Sequence, residues 1–323
     1  TDPWRLASSP ASTRTLTACS RICDRTRANA YVDTTTAATT PTAAATAAVE
    51  EQVALVVATA LPRSSLLPRK SPAMSSAAAA SVNVVFGAGG STGLQCVKRL
   101  LAVTDAPVRA VVRDPSKYEG VLPHHERLSV VAGDVTKLDT VTAACAGASG
   151  VIFAASSAGY WQANSVDNKG AANVAAAATE AGASRLVLVS SARVSPHNRW
   201  TLIRIILNNV RWGLMDAKFA GEEAVRHAKI DHCVVRPGGL TNEAGQQSRI
   251  LVGQGDNGVA GSHRISRADV AAVCVEALTN PAARNVTVEV VSSQGTPGAA
   301  PVTAQEAEAS VKQMWHGLKQ DAK

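Results

Sequence analysis

The sequence predicts an α/β fold, a doubly wound parallel sheet in a single domain that follows a disordered N-terminal arm. From Val82 onward, short apolar runs alternate with segments of helical periodicity, which is typical of repeated strand–helix crossovers. The apolar runs are nearly continuous, as expected for parallel strands that helices cover on both faces. The arm is predicted from a change of composition near residue 80, before which Ala, Thr and Ser dominate.

The elements follow in regular order along the chain. Strands are predicted at Val82–Phe86, Val108–Val112, Leu128–Ala132, Gly150–Ala154, Arg185–Ser190 and His232–Arg236. Helices are predicted at Thr92–Val103, Lys137–Ala146, Ser165–Ala181 and Leu214–Ala228. The domain is therefore placed at residues 81–292, with a helical tail at 293–323. In the tail, Ala304–Leu318 has helical spacing and mixed charge, which favours a surface or partner-contacting helix.

Residues 1–80 resemble a targeting segment. They carry arginines at positions 5, 14, 21, 25 and 27 and few acidic residues, a composition typical of plastid or mitochondrial transit peptides. A chloroplast location is the resulting prediction. Two alternatives stay open, namely a plain disordered extension and a true start at Met74, which would make the protein cytoplasmic.

Several function classes are disfavoured by composition. The net charge of +7 is thinly spread, and no dense basic run with interleaved aromatics follows residue 80, which argues against nucleic-acid binding. No stretch approaches the roughly 20 apolar residues of a membrane-spanning helix. The six cysteines form no CxxC pair and have no histidine at zinc-finger spacing, so we expect a reducing compartment and no metal site.

The first predicted strand runs into a glycine-rich turn, Gly87-Ala-Gly-Gly90-Ser-Thr-Gly93, and then into a helix. Glycines permit the tight turn, the approach of backbone N–H groups to a pyrophosphate, and close packing of helix on strand. The helix N-terminus adds unpaired N–H groups and the positive end of its dipole. This context predicts dinucleotide binding, with phosphate contacts from Gly87, Gly90, Ser91, Thr92 and Gly93.

The end of the second strand indicates which nucleotide binds. An acidic residue there would accept hydrogen bonds from a ribose 2′-hydroxyl and favour NAD, whereas an arginine can pair with the 2′-phosphate of NADP. Arg113 and Asp114 are adjacent, Arg113 comes first, and Lys117 adds a second cation. This order favours NADP(H) over NAD.

Four further segments occur in the same order as in a known family. They are Val166–Asn173, Leu186–Ser191, Arg236–Gly239 and Ile265–Val270. Together with glycines spaced GxxGxxG, they resemble the extended and atypical branches of the short-chain dehydrogenase/reductase superfamily, in particular flavin-reductase-like members found in plastids and cytosol. The resemblance covers most of residues 82–292 and implies a Rossmann-like fold.

The resemblance also implies further cofactor contacts. Asp134 and Val135 resemble the pair that meets the adenine edge, although Asp134 could equally cap the next helix. The remaining contacts are expected from the small residues Ala154, Ala155 and Ser156 after strand four and from Pro237 and Gly238 after strand six.

Reductases of this superfamily usually combine a serine with a tyrosine and a lysine spaced YxxxK, which places the last two on one helix face. Here Ser190 or Ser191 matches the serine and Lys218 the lysine, which would also hold the nicotinamide ribose. Leu214 occupies the tyrosine position, and leucine cannot transfer a proton. Tyr160, in the loop after strand four, is either a substitute that reaches the substrate or a plain loop aromatic.

Two function classes remain. The first is an NADPH-dependent reductase of a small acceptor (quinone, flavin or carbonyl) that works without a tyrosine acid, because hydride transfer is the cofactor's own chemistry. The second is a non-catalytic NADP(H)-binding sensor, scaffold or assembly factor that binds a protein partner. Of the two classes, we favour the reductase.

The apolar, basic segment Trp200–Trp212 is interpreted as a lid near the active-site mouth, with peripheral contact to a membrane surface as the alternative.

Overall fold

The computed structural model describes residues 81–259, 263–294 and 301–321. The predicted arm at 1–80 lies outside the described residues. The strands are β1 (Val82–Phe86), β2 (Val108–Val112), β3 (Leu128–Ala132), β4 (Ala148–Phe153), β5 (Arg185–Val189), β6 (His232–Pro237), β7 (Gly239–Thr241), β8 (Ile250–Gly253), β9 (Arg264–Ser266) and β10 (Val286–Ser292). The helices are α1 (Ser91–Val103), α2 (Leu138–Cys145), α3 (Ala171–Glu180), α4 (Leu202–Val210), α5 (Leu214–His227), α6 (Arg267–Thr279) and α7 (Ala304–Gln313).

Eight of the strands form one sheet in the order β3-β2-β1-β4-β5-β6-β10-β8. All neighbours pair in parallel except β8, which runs antiparallel to β10 at one edge. The direction of winding reverses between β1 and β4, so a crevice opens there at the carboxyl ends of the strands. This topology confirms the predicted doubly wound, Rossmann-like sheet.

Alternate residues of β1 show how both faces of the sheet are covered. Val84 and Phe86 lie in one apolar layer with residues of α2 and α3. Val85 lies in the opposite layer, which α1 and α6 contribute to. Both layers consist mainly of Val, Leu, Ile and Ala, because successive side chains of a strand point to opposite faces and each face needs an apolar cover.

The predicted helix at Ser165–Ala181 has two parts in the structure. A π-helical segment at Asn164–Gly170 precedes α3. A Cβ atom added at Gly221 of α5 would lie 2.1 Å from the Asp167 carbonyl oxygen, so the backbones of α5 and the π-helical segment approach closely there. Such widened turns occur frequently at functional sites.

The C-terminal tail packs on the domain, and its helix α7 lies on the surface with Ala307 and Val311 buried. A capping box formed by Thr303 and Glu306 begins α7. The tail buries Val311, Met314 and Trp315, and Trp315 is only 1% exposed. The three side chains join the same apolar layer as α1 and α6, so the tail completes the core.

Within the described segments, no helix is long and apolar enough to cross a membrane. Strands β7, β8, β9 and β10 were not expected from the sequence. Short β7 and β9 pair in parallel outside the main sheet and lie beyond the carboxyl end of β6.

Candidate dinucleotide site

A cleft of about 530 Å³ opens at the carboxyl ends of β1 to β4, around the point between β1 and β4 where the direction of winding reverses. Each of these strands contributes to its wall through the loop that follows it. The lining residues are Phe86, Gly87, Gly89, Gly90, Val111, Val112, Arg113, Tyr118, Gly133, Asp134, Val135, Thr136, Ala155, Ser156, Ser157, Ala158, Gln162, Ser165 and Val166. The sequence placed most of its predicted nucleotide contacts on these four loops.

Two positions of the loop after β1 require glycine. Gly87 has a φ of +76°, and an added Cβ would lie 2.6 Å from the Ala155 backbone. An added Cβ at Gly93 would lie 2.1 Å from the Gly87 carbonyl oxygen. The loop is therefore compressed between the end of β4 and the first turn of α1.

Gly90 has a different role. It precedes α1, lines the cleft, and its added Cβ would meet only the Gly87 carbonyl oxygen, at 3.2 Å. No side chain caps α1 here. Because the first N–H groups of a helix have no partner within it, those of Ser91, Thr92 and Gly93 are available to an anion. The uncapped turn and the glycine cradle fit a pyrophosphate.

Arg113 and Asp114 have different environments. Arg113 lines the cleft, whereas Asp114 does not. The Asp114 carboxylate accepts hydrogen bonds from the Ser116 hydroxyl at 2.7 Å and the Ser116 N–H at 3.2 Å. Its second oxygen lies 3.3 Å from the Lys117 ammonium. The Ser116 hydroxyl and Lys117 lower the pKa of Asp114, so the carboxylate is charged and already occupied.

Lys117 was predicted to bind the cofactor, but its side chain is 75% exposed and lies outside the cleft lining. The Asp114 pairing orients it along the short helical turn at Pro115–Tyr118. Of the two predicted cations, the structure brings Arg113 to the cleft and leaves Lys117 in solvent.

Asp134 and Val135 both line the cleft, as expected for adenine contacts. Asp134 does not cap α2, whose N-cap is Lys137 without a side-chain bond. Its carboxylate instead accepts hydrogen bonds from the Thr136 N–H at 2.9 Å and the Thr136 hydroxyl at 2.8 Å. Burial alone would raise the pKa of Asp134, but the Thr136 hydrogen bonds and the charges of Lys137 and Arg113 lower it.

Tyr118 is a cleft residue that was missed in the sequence. Its ring lies directly over Gly89, where an added Cβ would come within 2.2 Å of a ring carbon. It follows the Arg113 loop and lines the cleft beside it. The available signal was Gly89 itself, since a glycine can mark a place where another group closely approaches the backbone.

The loop after β4 connects the cleft to the predicted lysine. Ala155 and Ser156 line the cleft, while Ala154 donates its N–H to the Phe86 carbonyl and packs on the core. Ser157 donates its N–H to one Asp167 oxygen at 3.0 Å. The other Asp167 oxygen lies 2.9 Å from the Lys218 ammonium, an ion pair by distance although its angles are not those of a hydrogen bond.

Lys218 and Ser190 are not among the residues that line the cleft. The Lys218 side chain is 12% exposed, and the Ser190 hydroxyl is buried without a hydrogen-bond partner among the described residues. Leu214, at the tyrosine position, is buried in a small apolar cluster with Ala163 and Ala217. Tyr160 packs edge-on against Trp161 with ring centroids 4.7 Å apart.

Pro237 and Gly238 are removed from the cleft lining. Pro237 pairs with Val290 in the sheet, and Gly238 donates its N–H to the Val290 carbonyl at 3.0 Å. An added Cβ at Gly238 would lie 2.5 Å from the His263 carbonyl oxygen, so the glycine permits the approach of β9. Their predicted contact with the cofactor stays a prediction.

Comparisons with known proteins agree with this geometry. Residues 87–281 match the family model described as NAD(P)H-binding. An uncharacterized chloroplastic protein of Arabidopsis thaliana is 31% identical over 224 residues, 66% of this chain and 77% of that protein. The chloroplastic Protein TIC 62 of Pisum sativum is 31% identical over 180 residues, 49% of this chain and 33% of that protein.

Among solved structures, the oxidoreductase ylbE from Lactococcus lactis superposes with a TM-score of 0.58 at 19% identity, covering 74% of this chain and 100% of that one. That likeness concerns the fold alone. The family match covers more than half of the chain and, with the chloroplastic relatives, confirms the predicted resemblance to plastid NAD(P)-binding Rossmann-fold proteins. The chain belongs to the NAD(P)H-binding family of Rossmann-fold proteins.

Proposed function

We propose that this protein is an NADP(H)-dependent reductase that transfers hydride to a small acceptor without a tyrosine acid. The observation that carries the nucleotide choice is the contrast between two neighbours, since Arg113 lines the cleft while Asp114 is occupied by Ser116 and Lys117. A guanidinium matches the geometry of a 2′-phosphate, and a carboxylate outside the cleft lining is badly placed to accept from a ribose hydroxyl bound there.

The remaining contacts follow from the cleft. The glycine loop and the first turn of α1 hold the pyrophosphate, and Asp134 and Val135 meet the adenine. Small residues after β4 let the nicotinamide end lie along the sheet edge. Lys218, oriented by Asp167, is assigned to the nicotinamide ribose, and the unpaired Ser190 hydroxyl is assigned to the acceptor oxygen.

The leucine at position 214 limits which kind of acceptor the protein can reduce, because it cannot donate a proton. The nicotinamide supplies the hydride, and the protein has to orient the two rings and exclude competing reactions. With an apolar group at the acid position, the proton comes from solvent. This suits quinones and flavins, whose reduced forms are stabilised by delocalisation, better than unactivated carbonyls.

The test is a titration of the full chain with NADPH, followed by oxidation assays against a flavin, a quinone and a panel of aldehydes. Turnover should show a primary isotope effect with NADPH deuterated at one face of C4. Ser190→Ala should lower kcat, whereas Ser191→Ala is the matched control, because the Ser191 hydroxyl donates to the Ala192 carbonyl at 3.2 Å. Equal effects of both variants would contradict the role of Ser190.

A second function is favoured by the same residues that weaken the first. The tyrosine position is apolar, and Lys218 is already ion-paired to Asp167. Tight NADPH binding without turnover on any acceptor would replace the reductase by a non-catalytic NADP(H)-binding sensor or scaffold.

The chloroplastic relatives and the composition of residues 1–80 support a plastid location for the protein. Import of the full chain into isolated chloroplasts tests this location.

A further inference from the structure

Helix α4 presents its apolar face to solvent and its charge to the protein. Five aliphatic side chains on it are between 39% and 73% exposed, namely Leu202, Ile203, Ile205, Ile206 and Val210. Arg204, in the middle of the same helix, is 3% exposed. A helix on a soluble domain normally has the opposite arrangement, with its apolar stripe toward the core. Arg204 therefore lies on the side of α4 opposite to the exposed apolar face.

The inverted orientation is fixed by polar contacts. The Arg204 guanidinium donates to the carbonyls of Val194 and Ser195 and pairs with Asp216 at the start of α5. Asn208 accepts the Met215 N–H at 2.7 Å. Because a buried guanidinium left without partners would be costly, these bonds prevent α4 from turning its aliphatic face inward.

Aromatic side chains extend the apolar surface on both sides of α4. Trp200 precedes the helix and Trp212 follows it, and they are 79% and 60% exposed. The Trp212 ring lies 5.8 Å from that of Trp161, which is 74% exposed and belongs to the loop after β4. The apolar face of α4 and these three tryptophans are called the lid patch below. A contiguous exposed patch of this kind marks an interaction surface.

The charged residues of the segment that carries most of the lid patch are all cationic. Residues 193–212 contain four arginines and no aspartate or glutamate. Arg199 lies over the Trp200 ring at 5.5 Å, and Arg211 donates to the Ser157 carbonyl at the other end of the helix. The nearest acid along the chain, Asp216, is paired with Arg204. The patch therefore has an aliphatic centre and tryptophans at its ends. Arg199 and Arg211 form its cationic rim, whereas Arg204 faces the protein.

We propose that the lid patch is a docking surface for an anionic lipid bilayer. Aliphatic side chains with flanking tryptophan and arginine are the combination that lies in a membrane interface, where the indole rings take the headgroup level and the guanidinium groups meet lipid phosphates. A second copy of the chain is disfavoured, because a two-fold contact through this patch would bring the two cationic rims together. Docking places the α4 side of the cleft mouth on the lipid surface and is independent of the reaction proposed above.

The first test is flotation of the full chain with vesicles. Vesicles of phosphatidylglycerol and phosphatidylcholine should carry the protein at low salt, and phosphatidylcholine alone should carry much less. Ile203→Ser with Ile206→Ser should lower the partition coefficient at least about tenfold, because both aliphatic groups are lost from the interface. The matched control is Val103→Ser with Val121→Ser, which changes two equally exposed residues (48% each) outside the patch.

A second measurement locates the contact. Of the five tryptophans, Trp4 lies in the arm and Trp315 is buried, so Trp4→Phe leaves the three lid-patch tryptophans as the exposed reporters. Vesicles with brominated acyl chains should quench their fluorescence, and vesicles without bromine should shift it to the blue. All variants are first shown to be folded by nucleotide binding and circular dichroism.

Three outcomes would overturn the proposal. The first is that the wild-type protein stays in the aqueous phase in every vesicle test. Undiminished flotation of the Ile203→Ser, Ile206→Ser variant would place the lipid contact elsewhere, for example in residues 1–80. A wild-type dimer that the same variant converts to monomer in sedimentation, without vesicle binding, would assign the patch to a second copy.

Discussion

The carboxylate of Asp167 joins the cleft to the predicted lysine, with one oxygen 2.9 Å from the Lys218 ammonium and the other accepting the Ser157 N–H at 3.0 Å. Both side chains are largely buried, at 1% and 12% exposure. We expect Asp167→Asn to lower the free energy of unfolding by about 3 kcal/mol, because it leaves a buried ammonium without its counter-charge. Urea unfolding at neutral pH measures the loss.

The double variant Asp167→Asn, Lys218→Met provides the control for that prediction. It should be more stable than Asp167→Asn alone, because it removes the uncompensated charge as well. Lys117→Met, in the exposed pair with Asp114, should leave stability unchanged. A double variant that is less stable than the single one would show that Lys218 is held by other groups.

Arg113→Ala should discriminate between the two nicotinamide nucleotides. We expect the Kd for NADPH to rise about 10- to 100-fold, since a charge-assisted contact with the 2′-phosphate is lost, while the Kd for NADH stays nearly constant. Lys117→Ala should have a much smaller effect, because that side chain lies outside the cleft lining. Fluorescence titration of wild type and the two variants with each nucleotide measures the six constants. Equal losses for NADPH and NADH would contradict the 2′-phosphate assignment.

Gly90→Val should abolish binding of both nucleotides without unfolding the protein. Gly90 has φ −77°, which any residue adopts, and its added Cβ meets only the Gly87 carbonyl, at 3.2 Å. The valine side chain would therefore project into the cleft and exclude the pyrophosphate. We expect at least about a 100-fold rise in both Kd values. Retained affinity in a variant with a native circular dichroism spectrum would refute the phosphate site.

Acid should weaken the attachment of the C-terminal tail. Burial alone would raise the pKa of Asp321, but hydrogen bonds with His232 and Thr287 and the charge of Arg226 lower it. A depressed pKa stabilises the fold above the unfolded value of about 3.9, and this contribution disappears as the pH falls through the folded pKa. At pH 7, Asp321→Asn should cost about 2 kcal/mol.

The check is urea unfolding of wild type and Asp321→Asn across pH. The difference between them should be constant from neutral pH down to about 5 and should shrink below about 4. A difference that persists unchanged to lower pH would mean that the Asp321 contribution does not depend on its charge.

Local patterns were sufficient where structure depends on neighbours in sequence. The β1 strand, the glycine loop and the start of α1 were predicted nearly residue by residue, because a continuous apolar run and a compressed turn each specify one local conformation. The edge strand β8 and its neighbour β10 were missed. In β10, Glu289 interrupts an apolar run, and its buried carboxylate accepts the N–H groups of the distant residues Asp256 and Gly258.

The sequence by itself determined the fold class and the phosphate loop. It also identified Arg113 and Asp114 as the two adjacent residues that could select NADP or NAD. Tertiary structure decided which of those two side chains faces the cleft, that Lys218 is paired with Asp167, that Trp315 completes the core, and that α4 is inverted around Arg204. The physical reason is common to all four. Each depends on contacts between segments distant along the chain, and helical or strand periodicity specifies which faces of an element are apolar without specifying what they will meet.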